Sequence, residues 1–91
     1  MTETKVNRVI RIFDKFSDSL VEEIYINVEN KSKELEILQI LFGVEKDNLM
    51  YDCYPITTEE QFRFLALNFD VPLDTFDDDT KEYFLEADAV N

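Results

Sequence analysis

Asp77, Asp78 and Asp79 stand in a row, with Asp74 three residues before them and Glu82 three residues after. Carboxylates at this density offer two kinds of chemistry. One is ligation of a hard cation such as calcium, which takes several oxygens. Asp77 and Asp79 suit alternating positions of a calcium loop, but Lys81 falls on the next position and no glycine supplies the sharp turn. A solvated acidic loop fits the run better than a metal site. The other is acid–base catalysis by a carboxylate pair, as in glycoside hydrolysis, which needs both groups flanking a cleft. A chain of 91 residues, with its aromatics needed for one core, has little left to wall such a cleft.

The remaining catalytic groups are mostly missing. The sequence has no histidine, which removes the usual general base near neutral pH, the commonest metal ligand and every Ser-His or Cys-His arrangement. One glycine cannot build a phosphate-cradling loop or a dinucleotide fingerprint. One cysteine, Cys53, cannot form a four-cysteine zinc site, a redox pair or an internal disulfide. As a thiol it has no histidine to assist it, and Asp52 and Tyr54 beside it would not lower its pKa. A small, partly buried apolar role suits it better. The chain is expected to be no enzyme and to carry no cofactor or metal.

The elements that must position these groups follow from periodicity. Val6–Phe13 is β-branched, with Arg8, Ile10 and Ile12 on one side and Val9, Arg11 and Phe13 on the other. After the polar turn 14–19, Leu20–Val28 places Glu22, Ile24, Ile26 and Val28 on one face, so the two runs form an antiparallel hairpin. Asn30 or Ser32 can cap a helix over 33–42, closed by Gly43. Leu35, Ile37, Leu38, Leu41 and Phe42 face its core side. Lys33, Glu36 and Gln39 lie mostly opposite, and Glu34 intrudes on the apolar side.

Residues 44–48 form a loop, and 49–56 is a short strand or an extended segment in which Pro55 permits only an edge position. Thr58 and Gln61 have capping-box spacing for a helix over 59–69, with Glu59 and Arg63 as an i,i+4 pair. Phe62, Leu65, Ala66 and Phe69 form its core stripe, and Pro72 ends it. The segment 81–90 alternates Tyr83 and Leu85 with Glu82, Phe84 and Glu86, giving a third strand or a short helix. The expected fold is one α+β domain over 1–91, of order ββααβ, with two helices on one face of a three-stranded antiparallel sheet.

Charge indicates the partner. Twenty-one acids against nine bases give −12. The first fifteen residues carry a balance of +2, and residues 45–91 carry −10. Acidity also keeps a domain soluble, but this excess is larger than solubility requires. Such a surface repels nucleic acid and anionic membrane and steers basic proteins toward it. No segment has the length of a membrane span, and residues 1–8 lack the apolar run of a signal peptide, so a cytoplasmic location is expected.

Candidate contact residues are the mixed aromatics and acids Tyr51, Asp52 and Tyr54; Asp74, Phe76, Asp77, Asp78 and Asp79; and Glu82. Phe64 and Leu67 point away from the core stripe of the second helix and flank Glu60, either under neighbouring loops or as an interface patch.

In size, acidity, lack of catalytic groups and α+β character, the whole chain resembles the small acidic immunity proteins of bacterial toxin–immunity systems, including contact-dependent growth inhibition. The resemblance is one of type and carries no residue over by position. It implies a monomer that binds the toxic domain of a neighbouring toxin, often a basic nuclease, and neutralises it stoichiometrically. An acidic nucleic-acid mimic of anti-restriction or anti-defence type is the alternative.

Overall fold

The computed structural model describes residues 6–26, 28, 33–69, 71 and 76–89. Two strands open the chain, β1 (Val6–Asp14) and β2 (Leu20–Ile26), followed by helix α1 (Lys33–Phe42) and a short strand β3 (Tyr54–Ile56). Helix α2 (Glu59–Phe69) and strand β4 (Lys81–Ala89) complete it. The sheet is antiparallel throughout, in spatial order β2-β1-β4-β3.

The α+β class, both helices and the returning final strand hold. The three-stranded sheet and the ββααβ order do not: the chain runs ββαβαβ and the sheet has four strands. The added strand is only three residues long, too short to show alternation, and Pro55 at its centre removes a ladder donor. It sits at a sheet edge, where proline is tolerated, with Pro55 opposite Phe84.

Alternation along the strands sends Ile10, Ile12, Ile26, Ile56, Tyr83 and Leu85 to one face, where they meet Leu35 and Leu38 of α1 and Phe62, Leu65 and Ala66 of α2. Phe76 and Tyr83 stack with centroids 4.6 Å apart, and Phe62 packs against both at 5.7 and 5.4 Å. Both helices therefore lie against the same side of the sheet.

Helix ends follow the expected chemistry. Gly43 adopts φ +66, the Val44 N–H reaches the Gln39 carbonyl at 3.0 Å, and the Gly43 N–H reaches Ile40 at 3.2 Å. This Schellman pattern satisfies two carbonyls that the helix leaves over. Nothing would touch a Cβ at Gly43. Gly43→Ala therefore carries backbone strain alone, and its urea midpoint should report a loss of about 1 kcal/mol. At α2, the Gln61 N–H donates to Thr58 Oγ1 at 3.1 Å, while Gln61 Oε1 accepts the Thr58 and Thr57 N–H groups at 3.3 and 2.9 Å. Arg63 meets Glu59 at 3.3 Å. Both partners are well exposed, so the pair contributes a few tenths of a kcal/mol. The Asn30–Ser32 cap and the Pro72 stop lie outside the described residues.

Two polar side chains hold the loop between α1 and β3. Gln39, expected on the wet side of α1, is buried, and its Nε2 donates to the Lys46 carbonyl at 3.0 Å and the Asn48 carbonyl at 2.8 Å. Arg8, only 1% exposed, donates through Nη2 to the Leu49 carbonyl at 2.6 Å and through Nη1 to that of Met50. Its guanidinium lies 5.5 Å from the Tyr51 ring centroid. Burial pulls the Arg8 pKa down, opposed by the nearby Tyr51 and Tyr54 hydroxyls. Between these clamps Met50 is buried with φ 57, a left-handed conformation, and its N–H is held by Asn48 Oδ1 at 2.8 Å. Short-range pattern could not show this loop, because its backbone is fixed by partners 7–42 residues away in sequence.

Candidate interaction surface on the open face of the sheet

With Arg8, Ile10 and Ile12 turned to the helices, Val9, Arg11 and Phe13 project from the other face of β1. Cross-strand register adds Leu20, Glu23 and Tyr25 from β2, Glu82, Phe84 and Glu86 from β4, and Pro55 from β3. None of these side chains belongs to the helix-covered core. Among the described residues, no second layer packs on this face.

Arg11 organises one half of it. Its Nε donates to Glu23 Oε2 at 2.7 Å, and Nη1 donates to Glu86 Oε1 at 2.9 Å and Asp88 Oδ1 at 2.8 Å. Nη2 makes a further bond to Asp88 Oδ2. Glu86 sits opposite Val9, and Asp88 opposite Asn7. The Arg11 side chain therefore runs back along β1 over Val9, which is 0% exposed although it lies outside the main core. Its hydrogen bonds to Asp88 and Glu23 raise the Arg11 pKa far above its ordinary value. Three carboxylates share one cation, so the nest keeps two uncompensated negative charges.

The Asp88 carboxyl is held below its ordinary value of 3.8, first by its hydrogen bond to Arg11. A carboxyl with a depressed folded-state pKa stabilises the fold above 3.8, and that contribution is lost as pH falls through the lower, folded value. Asp88→Asn should therefore flatten the acid limb of a urea-midpoint-against-pH curve below 3.8.

The other half of the face is aromatic. Phe13 and Phe84 meet edge to face, with centroids 5.9 Å apart and rings inclined by 72°. Tyr25 is 57% exposed, and Leu20 is nearly half exposed. Cys53 precedes Pro55 by two residues and is exposed rather than partly buried. Desolvation, then the charge of Glu86, pushes its thiol pKa up, so thiolate character is suppressed.

The contact residues expected from the sequence do not gather into one patch. Tyr51 and Asp52 are exposed at the Arg8 end of the sheet. Tyr54 packs into the core against Phe42 at 5.6 Å, and Phe76 packs into the aromatic stack. Asp77 serves its own turn: it accepts from the Thr80 N–H at 3.3 Å and from the Thr80 hydroxyl, and these bonds, the hydroxyl's foremost, lower its pKa. Its backbone N–H donates to the Tyr83 hydroxyl at 3.1 Å.

Asp78 and Asp79 are exposed at the tip of this turn. Asp78 and Glu82 line a groove of about 370 Å³ with Lys15, Lys81, Pro55 and Phe84, and the Lys15 ammonium donates to the Asp78 carbonyl. Glu60 and Phe64 are exposed on α2, as is Leu67 at 76%, so Leu67 does not pack under a neighbouring loop. Asp74 lies outside the described residues.

Of the expected residues that are described, only Glu82 belongs to the open face. Sequence reasoning missed Arg11, Glu23, Glu86 and Asp88 as a group. The available signal was the alternation of Glu82, Phe84 and Glu86 along the wet side of the last strand. The described residues contain no group of three or more acidic, cysteine or histidine side chains able to hold a metal ion. No helix among them is long and apolar enough to cross a membrane.

Fold and surface together define a small two-layer α+β domain whose uncovered sheet face combines aromatic side chains with carboxylates. Residues 7–86 match the family described as Domain of unknown function (DUF7683), and the chain belongs to it. Comparison with curated proteins gives no match.

Proposed function

We propose that this domain is a cytoplasmic immunity-type inhibitor that binds the basic toxic domain of a neighbouring toxin, a nuclease by preference, and neutralises it one to one without catalysis. The observation that carries the reading is the open face of the sheet. Leu20 and Tyr25 stand there about half exposed, and Phe13 and Phe84 partly exposed, beside Glu23, Glu82, Glu86 and Asp88, with no covering layer among the described residues. Interfaces concentrate affinity in desolvated aromatic anchors surrounded by polar groups, and carboxylates around such anchors select lysine- and arginine-rich partners. The Arg11 bonds hold Glu23, Glu86 and Asp88 in fixed positions, so little ordering remains to be done on binding. An exposed free thiol suits a reducing compartment.

The partner domain for the test is the one encoded immediately upstream. Association measured by stopped flow should slow about tenfold or more between low salt and 0.5 M salt, because the excess acid charge steers encounter. A salt-independent rate would remove the electrostatic basis of the reading. The elongated shape, 43 × 27 × 21 Å, favours a nucleic-acid mimic as the second reading. Competition with DNA for several unrelated DNA-binding proteins would support that mimic.

A further inference from the structure

We infer that β2 is a docking edge that accepts a basic β-strand from the partner and extends the sheet to five strands; the inference rests on the inhibitor reading and specifies how the partner is held. The strand order leaves two edges, β2 and β3. The β3 edge is blunted: it has three residues with Pro55 in the middle, so it presents few donors. The β2 edge is seven residues long, roughly 23 Å at strand rise, with a register irregularity at Val21, and contains neither proline nor lysine, two residues that often guard an edge. Four of its residues in succession, Leu20 to Glu23, are exposed, and so is Tyr25. Among the described residues, β2 pairs with β1 alone.

Charge selects the occupant. Glu22 and Glu23 occupy the middle of the edge and point to opposite faces of the sheet. Two copies of β2 laid side by side would bring these like charges together on molecules of net charge −12, so a second copy is disfavoured. A strand with adjacent lysines or arginines opposite the two glutamates, and valine or threonine beside Leu20, Val21 and Tyr25, gains at each of these positions. The same strand would continue the open face, placing one of its cations next to the two uncompensated charges around Arg11.

The probe is the capped peptide Val-Thr-Lys-Lys-Val-Thr-Val, added to the intact domain while amide exchange is followed by NMR. Binding is expected to slow exchange in residues 20–26 about tenfold or more. A peptide with glutamates for the lysines should give no protection. Two further versions carry N-methyl groups on one or the other alternate set of amides. One set faces β2 and the other faces solvent, so one version should fail and the other should bind like the parent. Glu22→Lys changes an exposed side chain and should weaken the lysine peptide about fivefold. Equal binding by both methylated versions, protection elsewhere than 20–26, or no binding overturns the inference. Co-expression with the upstream toxin reads the inhibitor role separately. Relief of growth arrest with unchanged β2 exchange would sink the edge and spare the inhibitor. Protection of β2 without relief would sink the inhibitor and spare the edge.

Discussion

Arg8→Met is expected to lower the stability of this domain by about 3 kcal/mol, a large share of the roughly 5–14 kcal/mol available to a chain of this size. Methionine restores much of the volume but none of the donors. The Leu49 and Met50 carbonyls lose their bonds to Arg8 inside the protein, and a buried carbonyl left unpaired costs about 1–3 kcal/mol. The positive φ of Met50 then loses part of what enforces it. Arg8→Lys should fall between the two, since one ammonium cannot reproduce the planar fork or its stacking on Tyr51. Urea titration gives the size of the effect, and faster amide exchange at Met50 and Tyr51 shows its location. A midpoint unchanged in Arg8→Met would mean that the loop is held by Gln39 alone.

The second large effect concerns binding. Phe84→Ala should weaken the proposed complex with the domain encoded upstream by about 30-fold or more, the loss typical of a central aromatic anchor. Its effect on folding should be smaller, because Phe84 lies outside the main core and loses chiefly its edge-to-face partner, Phe13, worth about 1 kcal/mol. Calorimetric titration and a urea curve on the same preparation separate the two. A fully folded variant with unchanged affinity would move the interface away from the open face, toward the exposed Phe64 and Leu67 side of α2.

Local signals explain why so much of the fold was legible. The α2 boundaries follow from a capping box four residues long, and the end of α1 from Gly43, so each could be read within one helical turn. The faces of β1 and β4 follow from alternation, which needs only the strand itself. Three features depended on long-range partners: local pattern leaves the first open between an edge strand and an extended segment, and it hides the other two. The Tyr54–Ile56 strand exists because β4 offers it an edge, not because three residues containing a proline favour extension. Gln39 looked wet at its helical angle, yet the 44–53 loop folds over it and uses its amide as an internal donor. The Arg11 nest joins carboxylates from two flanking strands, and Glu23 and Asp88 are 65 residues apart in the chain.

The site was less legible for a related reason. Clustering along the sequence favoured Asp77–Asp79, whereas a sheet gathers functional side chains by register. Asp77 is engaged in its own turn, while the charge on the open face comes from Glu23, Glu82, Glu86 and Asp88, three of them alternating along β4. The aromatic–acid runs of the sequence and the aromatic–acid face of the sheet are therefore different places, with Glu82 common to both.

The most direct test is growth. The carboxy-terminal portion of the gene immediately upstream is expressed alone, with this domain, and with Phe84→Ala. The account predicts arrest when the upstream product is alone, relief by the wild-type domain, and little relief by the folded variant. No arrest, or arrest that persists beside the wild-type domain, would contradict the proposal that this acidic sheet is a toxin-neutralising surface.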